Sequence, residues 1–82
     1  MDIESFKKIN LERNQIIEYQ IPDREHSRVI KLGYFVSLQD NEPFTLEIAD
    51  FKDKNGCFRG YQRVELSDII SLNVIGQSNF SA

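Results

Sequence analysis

Residues 64–74 read VELSDIISLNV, an apolar strand pattern with Ser67-Asp68 set into its middle. The runs on either side are too short and too close together for an ordinary hairpin loop. A single tight helical turn fits the gap, with Ser67 or Asp68 capping it. Such a corner before a last strand belongs to small, strongly curled sheets, so the rest of the chain must supply the other strands.

It does so in period-2 segments. QIIEYQI (15–21) puts Ile17, Tyr19 and Ile21 on one face, and PDREHS follows as a polar turn. SRVIKLGYFVSLQ (27–39) is the longest run, with Ile30, Leu32, Tyr34, Val36 and Leu38 alternating and Gly33 marking a bend or bulge. After the turn Asp40-Asn41-Glu42, PFTLEIADFK (43–52) alternates Phe44, Leu46 and Ile48. DKNG (53–56) is the strongest turn signal, because Asn-Gly suits the positive φ angles of a type I′ hairpin. CFRGYQRVEL then makes a fourth strand and IISLNV (69–74) a fifth. At the start, DIESFKKINLER (2–13) spaces Ile3, Phe6 and Ile9 as one face of a short helix, with Asp2 as cap and Asn14 as stop.

The expected fold is therefore mainly β: a short N-terminal helix, then a five-stranded, strongly bent antiparallel sheet of the Sm-like or SH3-like small-barrel type. Residues 1–76 are expected to form one domain and 77–82 a flexible tail. Leu32, Val36, Leu46, Val64, Leu66, Ile70 and Leu72 are expected to share its core.

Composition narrows the function classes. The 82 residues hold ten Lys plus Arg against thirteen Asp plus Glu, a net charge of −3. A protein that grips nucleic acid mainly through phosphates usually carries a basic excess, which is missing here. The opening MDIESFKK has early acids and no apolar stretch, so no secretory leader is expected, and no run is long enough to span a membrane. One cysteine, Cys57, forms no internal disulfide and suits a reducing, cytoplasmic setting.

The most suggestive surface is RGYQR (59–63). Arg59, Tyr61 and Arg63 project from one face of the fourth strand, where two guanidiniums flanking a phenol suit a carboxylate, a phosphate or a protein hot spot. The plainer reading pairs these arginines with Glu47 or Glu65 on a solvated face. A second candidate is the acidic set Asp40, Glu42, Asp50 and Asp53, as a patch for a basic partner. His26 lacks a second histidine or cysteine with which to hold zinc, and Cys57 has no activating base nearby. No catalytic, metal or cofactor-binding residue is expected, and no enzyme.

The stretches LQDNEPFTLEIADF and RVELSDIISL resemble the Sm-like pattern of the Rho-binding antiterminator (Rof) family, over roughly residues 35–74. That resemblance implies a small acidic regulator docking on a protein that handles nucleic acid. RGYQRVELSDIISL is also similar to the end of the WYL domain, which implies a module binding nucleic acid or a nucleotide. Size and acidity suit a third reading, an immunity-type antagonist of a toxin. A protein partner leads these expectations, nucleic acid is the alternative, no membrane is involved, and oligomeric state stays open.

Overall fold

A computed structural model describes residues 1–77 and is mainly β. Its elements are α1 (Ile3–Ile9), β1 (Gln15–Asp23), β2 (Ser27–Gln39), β3 (Thr45–Lys52), β4 (Phe58–Glu65), a 3₁₀ turn (Leu66–Asp68) and β5 (Ser71–Gln77). The strands form one antiparallel sheet in the order β4-β3-β2-β1-β5. The expected tail falls outside the described residues, apart from Gln77, which ends β5.

The long β2 is what bends the sheet. Its first half pairs with β1 from Ser27 to Tyr34, and its second half pairs with β3 from Tyr34 to Gln39. The register slips between Phe35 and Ser37, an extra residue that turns the strand. Gly33 lies directly against Ile48 and Ala49 of β3. A Cβ there would lie 2.5 Å from Ile48 Cγ2 and 2.9 Å from the Ala49 carbonyl oxygen, so only glycine fits.

The sheet is not closed into a barrel, because β4 and β5 are its two unpaired ends. The 3₁₀ turn carries the chain across the core to β1. There β5 pairs only with Gln15–Gln20, leaving Ile21–Asp23 of β1 without a neighbour on that side. The turn itself is where the sequence places it, but no side chain caps it; the Ile69 N–H closes it on the Leu66 carbonyl.

The core holds Phe6, Ile17, Tyr19, Phe35, Leu46, Ile48, Leu66, Ile69 and Leu72. Leu46, Leu66 and Leu72 are thus where expected, and Val64 packs against the cluster from its edge. Val36 is buried but lies outside it. Leu32, at 57%, and Ile70, at 48%, are exposed instead. Both corrections have one cause, a single-residue change of face. In the β1–β2 ladder Gly33 stands opposite the buried Ile17, so Gly33 and Phe35 face inward while Ile30 and Leu32 point outward; the slip after Phe35 then exchanges the faces, so that Leu38 packs against the core. At the corner Ile69 ends the 3₁₀ turn inside the core, while Ile70 donates its N–H to the Gln20 carbonyl.

The helix lays Phe6 into this core, with Ile3 and Ile9 beside it. Asp2 caps it by accepting the Ser5 N–H at 2.8 Å. It stops at Asn10, whose φ of 62° is left-handed, well short of the expected Asn14. The DKNG hairpin also differs from expectation. Only Gly56 has positive φ, at 80°, so the turn is not type I′. The Gly56 N–H instead closes on the Asp53 carbonyl, with Lys54-Asn55 at the centre of the turn.

Candidate functional site

β3 and β4 pair so that Phe51 stands opposite Arg59, Ala49 opposite Tyr61, and Glu47 opposite Arg63. Directly opposed residues share a face, so these six side chains lie on one side of the sheet. Phe51 and Tyr61 are diagonal neighbours on it, each 55% exposed. Ala49, opposite Tyr61, is fully buried beneath this surface.

Both arginines meet carboxylates. Arg59 Nε donates to Asp53 Oδ2 at 3.0 Å, and Arg63 Nε lies 3.8 Å from Glu47 Oε2. The surface therefore presents two aromatic rings between charge-matched arginines rather than bare cations. Asp53 also accepts the backbone N–H groups of Asn55 and Cys57, at 2.9 and 3.0 Å. The bonds from the Cys57 and Asn55 backbones, then from Arg59, hold its carboxyl below the usual carboxylate range.

The acidic candidates do not form one patch. Asp40 and Glu42 precede β3, whereas Asp50 and Asp53 lie at its far end. Asp40 lies 3.8 Å from Lys7 Nζ, and Glu42 lines a shallow groove with Met1, Phe44 and Leu66. Asp50 accepts from Gln62 Nε2 at 3.2 Å and presses against Gly60, where a Cβ would come within 2.9 Å of the Asp50 Cβ. Gly60 has a φ of 70°, so this close approach and the backbone both demand glycine. Asp50 and Asp53 thus shape the hairpin that carries Arg59 and Tyr61.

His26 closes the β1–β2 turn, with Nδ1 at 2.9 Å from Asp23 Oδ2. That contact is the main reason the Asp23 carboxyl titrates below its ordinary value. Cys57 is a free, exposed thiol. Among the described residues no group of three His, Cys, Asp or Glu could hold a metal ion.

One cluster escaped the sequence reading. Arg13 and Lys52 both lie over the Phe58 ring, at 5.1 and 5.2 Å from its centroid, and Lys52 also lies 5.0 Å from the Tyr34 centroid. Tyr34 and Phe58 themselves meet at 6.0 Å. These cation–aromatic contacts tie the segment after α1 to the β3–β4 hairpin. Burial among the rings lowers the Lys52 pKa. Arg13 and Lys52 come from segments whose neighbourhood only the folded sheet creates.

Among the described residues no helix is long and apolar enough to cross a membrane. A scan against protein-family models and comparisons with curated proteins and with solved structures each found no match.

Proposed function

We propose that this chain is a non-enzymatic regulatory protein that docks on another protein through the outer face of β3 and β4. The observation that carries this reading is the exposed Phe51–Tyr61 pair framed by Arg59 and Arg63. Aromatic rings with arginine at their edge are the composition of protein-interface hot spots. Nucleic acid is a weaker fit, because Asp53 and Glu47 already answer both guanidiniums and would repel phosphate. The lone thiol favours a cytoplasmic setting. The resemblance to Rho-binding antiterminators makes a protein that handles nucleic acid the first partner to try.

The test is capture of partners from native lysate, with and without nuclease, followed by Tyr61→Ala. A protein partner should survive nuclease, and the substitution should weaken its complex by about 1–3 kcal/mol while the fold persists. Loss of the partner with nuclease, or indifference to both Tyr61→Ala and Phe51→Ala, would overturn the proposal.

A further inference from the structure

The open side of the sheet holds a cleft of about 760 Å³. One wall is Ile21, Pro22 and Arg24, at and just past the end of β1; the other is residues 62–65 of β4, with Asp68 of the 3₁₀ turn beside them. Both walls are strand edges, and they differ in what their main chains offer.

On the β4 side, the Leu66 N–H donates to the Phe44 carbonyl at 2.8 Å. Main-chain direction alternates along an antiparallel strand, so Val64 and Gln62 also turn their groups toward β3. Arg63 and Glu65 consequently turn theirs outward into the cleft. On the β1 side, the Gln20 carbonyl accepts the Ile70 N–H and so faces β5. By the same alternation Pro22 faces that side just beyond the end of β5, and proline has no N–H to give. The cleft therefore has one edge competent to pair and one blunted against pairing.

We infer that this cleft takes a single extended segment of a partner protein, which adds to the sheet as a strand along β4. The inference rests on the docking role proposed above and specifies how the partner is held. Main-chain bonds to Arg63 and Glu65 supply the attachment, and side chains select the sequence. An apolar residue belongs opposite Val64, over the half-buried Ile21. A carboxylate belongs near Arg24 on the far wall, which pairs with no carboxylate among the described residues, whereas Arg63 is already met by Glu47. A second copy of this chain fits poorly, because each of its free edges, β4 and β5, comes with a neighbouring strand alongside, whereas the cleft is walled on its far side.

Glu65 permits a clean test. Its φ of −65° already matches proline, so Glu65→Pro removes one outward N–H with little change of backbone. Glu65→Ala removes the same carboxylate and keeps the donor. Randomised seven-residue peptides displayed on phage should be selected against the full chain, and the binders synthesised. The selected sequences should place apolar residues at alternate positions and carry an acid within reach of Arg24. Glu65→Pro should weaken them about tenfold or more relative to Glu65→Ala. N-methylation of alternate peptide amides should abolish binding in one phase and spare it in the other, a readout that does not depend on how the variant folds. Recovery of no binders, or equal affinity for the two Glu65 variants and no effect of N-methylation, overturns the inference. Should Tyr61→Ala release the natural partner while Glu65→Pro does not, the docking face stands and strand addition fails; the reverse pattern supports the edge without the face.

Discussion

Single residues decide this structure where space is tightest. Gly33 has no room for a methyl group beside Ile48 and Ala49, so Gly33→Ala should destabilise by about 1–3 kcal/mol in urea unfolding. An unchanged midpoint would mean that β2 does not cross β3 this closely. The core can be checked in the same way. Leu46→Ala, at a fully buried site, should cost about 2–5 kcal/mol, whereas Leu32→Ala should cost about 1 kcal/mol or less. Equal losses would restore the alternation read from the sequence. That alternation was sound for β1 and β3, where Ile17, Tyr19, Leu46 and Ile48 face inward as their spacing implies. It misplaced Leu32 and Ile70 because a bulge and a corner each shift the face by one residue. Neither shift changes composition, so nothing local announces it. Gly33 did signal the bend, but a glycine alone does not say which neighbours exchange faces.

At the scale of elements, three aspartates hold the ends. Asp2 caps α1, Asp23 closes the β1–β2 turn with His26, and Asp53 organises the β3–β4 turn. Each carboxyl titrates below its ordinary value: Asp2 and Asp53 chiefly through backbone N–H bonds, Asp23 chiefly through the His26 ring. A folded-state pKa below the unfolded one contributes stability that is present above the unfolded value and lost as pH falls through the folded one. Thermal midpoints should therefore drop as pH is lowered below about 4, the ordinary aspartate range. Asp53→Asn keeps the turn's shape but removes a charge, so part of that drop should disappear; an identical pH profile would show that Asp53 contributes nothing through ionisation. The turns were legible as turns, since Pro, Asp, Asn and Gly mark them. Their types were not: Asn55-Gly56 suggests type I′, but the Asp53 carboxylate gathers the Asn55 and Cys57 N–H groups and selects a longer connection. The extent of α1 was overread for a similar reason, because Asn10 stops it before the polar stretch that looks helical.

For the whole molecule, connectivity and curvature were readable and closure was not. Helix, five strands and a one-turn corner follow from spacing, but whether β4 meets β5 depends on how far the sheet curls. Here it remains open, with a pairing edge on β4 and a proline facing it. The candidate face was legible as Arg59, Tyr61 and Arg63, because period 2 places them together. Phe51 was missed as their companion, since only the ladder puts it opposite Arg59. In the proposed function this face grips a protein by its rings rather than a nucleic acid by its guanidiniums. The most direct measurement is the affinity of the recovered complex across a salt series, for the unmodified chain and for Tyr61→Ala. A shallow dependence on salt and a loss of about tenfold or more on removing the ring are expected. A steep dependence, about one unit of log–log slope for each phosphate contact, with little effect of Tyr61→Ala, would contradict the proposed function.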